Sequence, residues 1–138
     1  MMIHLSQINW LAVLLASFAF WVLGALWFVV LFAKPYAAAL GRTGAPQEKP
    51  GPLLMFGPLV CAAVITVTNA VLMHALGVTS SGGALEFGGV TGAGYLVAMT
   101  VTIAINPNFP RPLAYGAVNG PYFLLANLVS CYVLAAMA

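Results

Sequence analysis

From Ile8 to Phe32 the chain reads INWLAVLLASFAFWVLGALWFVVLF, without one charged side chain. Such a run is near the roughly 20 apolar residues that cross a hydrocarbon core, and it is too long for a buried strand. Three more runs of this kind follow, at about 53–76, 85–105 and 113–137. Strands of a membrane barrel would instead alternate over segments of about 10 residues. The pattern therefore predicts an all-α, integral membrane four-helix bundle, with spans at about 8–32, 53–76, 85–105 and 113–137. Composition agrees: 63% of the 138 residues are hydrophobic and 4% charged, with a mean hydropathy of +1.05. Soluble domains carry about 25% charged residues because water must wet their surface, so lipid is the natural solvent here. The spans and their connections use up the chain, which reads as a single transmembrane domain over 1–138.

The connections are punctuated as loops. AKPYAAALGRTGAPQEKPGP holds four prolines and most of the charge, with a short interfacial helix expected at 36–40. GVTSSGG reads as a tight turn, and NPNFPRP cannot continue a helix. The leader MMIHLSQ has no Lys or Arg, so the first run reads as an uncleaved span rather than a signal peptide.

All four basic residues fall in alternate loops: Lys34, Arg42 and Lys49 after span one, and Arg111 after span three. Positive residues concentrate on the cytoplasmic side, so loops 33–52 and 106–112 are expected there, with both termini outside. Cys61 then lies about 12 Å deep and Cys131 about 27 Å deep from the same side at 1.5 Å per residue. A disulfide needs Cα atoms within about 7 Å, so the two read as separate thiols.

The same depth count brings Asn69, Thr91 and Asn127 close to one level, roughly 20–24 Å from the cytoplasmic edge. Hydrogen bonds across helices would join them; a polar waist on a solute path is the other reading. His74 and Glu86 flank the outer turn and are expected to meet there, with His4 on the same side. Their spacing matches no ligand pattern, so no metal or cofactor is expected, although lipid is and a pigment on His74 stays open.

Gly88 and Gly92 form one GxxxG pair and Gly116 and Gly120 another, a spacing that lets helix backbones approach closely. Pro58 and Pro121 lie inside spans and free backbone carbonyls; Asn119 stands ready to satisfy those near Pro121. On span one, Trp10, Ser17, Trp21, Gly24 and Phe28 share a face at 100° per residue. Rings alternate there with small notches, which suits docking against another helix.

The opening INWLAVLLASFAFWVLGALWF with LFAKPY resembles the signature of the bacterial membrane family called domain of unknown function 1761. Its features fall on Asn9, Trp10, Gly24, Trp27, Phe28, Phe32, Lys34 and Tyr36, and VNGPYFLL is similar to its closing element on Asn119 and Tyr122. The chain departs from that pattern at Val29-Val30, where a Ser-Pro-like step is usual, and at Phe123, where a His often stands. The resemblance implies a small four-span inner-membrane protein with no established reaction.

A net charge of +2 is too small for a nucleic-acid footprint. No phosphate-cradling glycine loop or spaced zinc pattern is present in the sequence, and no base stands within reach of a buried nucleophile. The expectation is a non-enzymatic protein: an accessory subunit packed against a larger membrane complex of photosynthetic or respiratory type, or a self-associating bundle. An oligomeric transporter or channel for a small solute is the alternative. The expected partners are the bilayer and other transmembrane chains or copies of itself.

Overall fold

The computed structural model describes residues 4–46 and 49–138, which form five helices and no strand among the described residues. Four are long and apolar enough to cross a membrane: α1 (Trp10–Leu31), α3 (Pro52–Ala75), α4 (Ser81–Ala104) and α5 (Pro112–Ala136). The short α2 (Ala33–Ala39) follows α1 directly, three residues ahead of the expected 36–40. Pro35 is tolerated there because the first turn of a helix has unpaired N–H groups in any case.

The helices lie side by side in the order α3, α1, α5, α4. Half of α5 is buried, against about a fifth of each other span, so α5 is the hub. Small residues make this possible. The buried stripe of α1 is Ala12, Val13, Ala16, Ser17 and Phe20, and that of α3 is Ala62, Thr66, Asn69, Ala70 and Met73. Both follow helical spacing, and their alanines let backbones close together where hydrophobic drive is absent.

Caps set the ends. Asn9 starts α1 by accepting the Ala12 N–H, and its amide donates to the Met137 carbonyl at 2.8 Å, tying the start of α1 to the end of α5. Ser80 caps α4 by accepting the Gly83 N–H, so the third span begins at Ser81, four residues before the expected 85. The cap outweighs the poor helix propensity of Gly82 and Gly83. Helix α3 ends in a left-handed Gly77 (φ 67°), with Gly77 N–H bonded to the His74 carbonyl and Val78 N–H to the Met73 carbonyl. Helix α2 ends the same way at Gly41 (φ 69°), with Gly41 N–H on Ala38 and Arg42 N–H on Ala37. Only a residue free of a Cβ penalty makes this pair of closing bonds cheaply.

Two spans contain π-helical segments, Leu26–Leu31 in α1 and Gly92–Val97 in α4. Each inserts an extra residue into a turn and re-aims the side chains beyond it. In α4 the contact face runs through Gly88 and Gly92, then steps to Val97 and Val101.

Candidate functional site

A ladder of polar side chains crosses the buried middle of the bundle. Asn69 of α3 donates its amide to Asn127 Oδ1 of α5 at 2.8 Å. The Asn127 amide donates to the Gly88 carbonyl and to Thr91 Oγ1 of α4, each at 2.9 Å. Beside it, Thr66 Oγ1 and Ser130 Oγ lie 3.2 Å apart. The expected level of Asn69, Thr91 and Asn127 is thus a single hydrogen-bonded unit joining three helices. The Thr66–Ser130 rung was not anticipated, although each residue stands three positions from an asparagine of the layer, on the same helix face. Among the described residues no buried side-chain nitrogen or oxygen lacks a partner.

Both GxxxG pairs are used inside the chain, at one interface. A Cβ on Gly88 would meet Cys131 at 3.2 Å and the Leu128 backbone at 3.4 Å, and one on Gly92 would meet Leu124 and Asn127. On the opposing helix, Gly116 receives Val101 and Gly120 receives Val97. Each helix offers the other two notches and two knobs. These glycines therefore leave no free face of their own for another chain.

An aromatic cluster fills the opposite half of the bundle, around the π segment of α1. Tyr122 is its centre: its hydroxyl donates to the Phe20 carbonyl at 3.3 Å and its ring meets Phe20, Phe28 and Phe123 within 6.0 Å. A Cβ on Gly24 would stand 2.7 Å from that hydroxyl, which accounts for glycine at this position. Phe28 continues to Tyr36, Tyr36 to Tyr115, and Tyr115 to Phe109, while Phe32 stacks on Trp27. Burial raises the Tyr36 phenol above its ordinary pKa, and the Arg42 guanidinium nearby opposes that rise.

The tryptophans separate by partner. Trp10 stands half exposed at the start of α1. Trp21 donates its indole N–H to the Met55 carbonyl of α3, and Trp27 donates to the Val118 carbonyl of α5, each at 3.0 Å. Met55 and Val118 each lie three residues before a proline inside the helix, Pro58 and Pro121. Proline removes the hydrogen bond to the carbonyl four residues back, which here belongs to Leu54 and Ala117. Each indole therefore donates to the carbonyl next to the freed one and ties α1 to the proline-containing turn. Asn119 does not take the expected role near Pro121: its amide bonds back to Tyr115, four residues earlier, because that carbonyl lies directly beneath it on the helix.

The outer end differs from expectation. His74 Nε2 pairs with Gln7 Oε1 at 2.8 Å, while Glu86 stands exposed on α4 without a hydrogen bond to it. The turn of helix at Leu5–Gln7 folds the leader back over α3 and reaches His74 first. A shallow cleft of ≈ 280 Å³ lies beside this pair, lined by Asn9, Ala12, Met73 and Leu134 among others. Among the described residues no three His, Cys, Asp or Glu side chains gather as a metal site. Cys61 is exposed and Cys131 buried, and both are free thiols.

Fold and site together define an all-helical protein with four helices long and apolar enough to cross a membrane, whose described buried side-chain nitrogens and oxygens are all paired within the chain. The model of the family described as "Protein of unknown function (DUF1761)" matches residues 11–135, and the chain belongs to that family. No curated protein and no solved structure matches it. Of the residues that carry the family signature here, Gly24, Trp27, Phe28, Phe32, Tyr36 and Tyr122 meet in the aromatic cluster, Asn119 lies one turn from Tyr115, and Asn9 ties the far ends of α1 and α5. Lys34 is exposed at the start of α2.

Proposed function

We propose that the chain is a small non-catalytic packing subunit of a bacterial inner membrane, with loops 33–52 and 106–112 cytoplasmic and both termini periplasmic. One observation carries this reading. The interior has every described buried polar side chain paired, while only about a fifth of the residues in the apolar windows of α1, α3 and α4 are fully buried. A saturated interior offers no open polar route or reactive group. Broad apolar faces suit lipid and neighbouring helices, the partner being a larger membrane complex or a second copy. Because the GxxxG notches are filled internally, association would use outward residues such as Val29 and Val30 of α1 or Val90 and Tyr95 of α4, all at least two-thirds exposed. The basic residues support the orientation, since the contact between Gly41 and Pro110 puts the Arg42 and Arg111 loops at one end of the bundle. The test is gentle detergent extraction followed by native mass spectrometry: a partner-bound or multimeric species is expected, and a lone monodisperse chain refutes the subunit reading.

Transport by an oligomer is the second reading. It draws on irregularity in every span: π segments in α1 and α4, prolines inside α3 and α5. Such breaks are where membrane helices bend around a solute. Liposome flux that changes on Asn127→Leu would favour it, and unchanged flux would sink it.

A further inference from the structure

Two loops meet at one end of the bundle, and each carries an arginine next to the contact. The left-handed Gly41 reverses the chain at the end of α2 and sends Arg42 back toward the bundle. In the other loop Asn106 organises the turn: its side chain accepts the Asn108 N–H at 2.8 Å and donates to the Ile103 carbonyl, and its carbonyl accepts the Phe109 N–H. That turn lays Phe109 on Tyr115 at 4.7 Å and brings Pro110 to 3.2 Å from the Cβ position of Gly41. Arg42 and Arg111 each follow directly on that contact, and both are exposed. Tyr36 and Tyr115, with centroids 6.2 Å apart, form the aromatic wall beside them. Of the two side-chain carboxylates in the sequence, Glu86 lies in the second turn of α4 at the far end of the bundle, and Glu48, in the same loop as Arg42, lies outside the described residues.

We infer that Arg42 and Arg111, each next in sequence to the Gly41–Pro110 contact, form a binding site for the phosphate of an anionic phospholipid headgroup. Guanidinium groups pair with phosphate through two parallel hydrogen bonds, which a lysine cannot reproduce. Aromatic rings at the ends of spans settle at headgroup level, so Tyr36 and Tyr115 hold the site at the depth where lipid phosphates lie. The helices on either side keep the acyl chains in the bilayer. This inference rests on the multi-pass reading of the chain.

The test uses the full chain purified in a neutral detergent, with phosphatidylglycerol and phosphatidylcholine as probes and bound lipid read by native mass spectrometry. Wild type is expected to prefer phosphatidylglycerol by at least about tenfold, because the trimethylammonium of phosphatidylcholine cancels the charge of the phosphate that both lipids carry. The pair Arg42→Lys with Arg111→Lys keeps all charge and is expected to weaken phosphatidylglycerol binding about tenfold, the effect of one charge-assisted hydrogen bond. The corresponding alanine pair is expected to abolish the preference, while Lys49→Ala, a charge loss elsewhere in the same loop, changes phosphatidylglycerol binding less than about twofold. All these positions are exposed, so folding is preserved. A lysine pair that binds like wild type overturns the site in favour of diffuse charge attraction. Displacement of phosphatidylglycerol by millimolar orthophosphate overturns the lipid assignment in favour of a free-anion site. Alkaline carbonate washing separates the other failure: release of wild-type chain from membranes refutes the multi-pass reading, and the lipid site with it.

Discussion

Replacing Asn127 with leucine removes the centre of the polar ladder. Three hydrogen bonds go: one received from Asn69 and two donated to Gly88 and Thr91. Hydrogen bonds between membrane helices average about 0.6 kcal/mol, so their direct loss is about 2 kcal/mol. The Asn69 amide, 5% exposed, is then left without an acceptor, which adds about 1–3 kcal/mol. Asn127→Leu is therefore expected to destabilise the bundle by about 3–5 kcal/mol. Asn69→Leu removes one bond and orphans one oxygen, for about 2–4 kcal/mol. The double variant removes the orphans together with the bonds and should lose only about 2 kcal/mol, well short of the sum. Unfolding by sodium dodecyl sulfate in mixed micelles, followed by tryptophan emission, measures all three; Trp21 and Trp27 report directly because each is bonded to a neighbouring helix. Additive single effects, or an Asn127→Leu change below about 0.5 kcal/mol, would show that the ladder does not hold the helices together.

Other outcomes follow from single contacts. Gly24→Ala places a methyl 2.7 Å from the Tyr122 hydroxyl and is expected to destabilise by about 1–3 kcal/mol; Tyr122→Phe should recover part of that loss in the same unfolding assay. Neighbouring glycines of α4 should behave oppositely: Gly88→Ala presses on Cys131 and the Leu128 backbone and destabilises, whereas Gly89→Ala meets nothing within 4 Å and gains helix propensity of up to about 1 kcal/mol. Equal melting shifts for the two would refute the internal use of the glycine pair. In detergent, a lipid-soluble maleimide should modify Cys61, which faces out from the bundle, faster than the buried Cys131, and unfolding should abolish the difference; mass spectrometry of the labelled chain decides.

Much of this architecture is legible in the sequence because membranes reward simple patterns. Apolar length alone places the four spans to within a few residues, except at Ser80, where a cap extends α4 backward through two glycines. Depth at 1.5 Å per residue is enough to group Asn69, Thr91 and Asn127, since helices that run nearly side by side keep that count. Partner choice is harder. A GxxxG pair states that something comes close without saying what, and here each pair receives side chains of the other helix across α4 and α5. Prolines reveal which carbonyls are freed, but only the packed bundle shows that Trp21 and Trp27 donate to the carbonyls next to them. His74 meets Gln7 rather than Glu86 because a short helical turn in the leader folds back, a tertiary event with no periodic signal. The π segments are likewise responses to packing: the extra residue in α4 is what carries its contact face from Gly92 to Val97.

Cysteine accessibility in intact cells tests the central claim, four spans with the basic loops inside, most directly. With Cys61 and Cys131 replaced by alanine, single cysteines go in as Ala45→Cys, Thr79→Cys and Asn108→Cys, all at exposed or loop positions. A membrane-impermeant maleimide should label Thr79→Cys in whole spheroplasts, and Ala45→Cys and Asn108→Cys only once the membrane is opened. Labelling of either inner-loop position in intact spheroplasts, or protection of Thr79→Cys, would contradict the account.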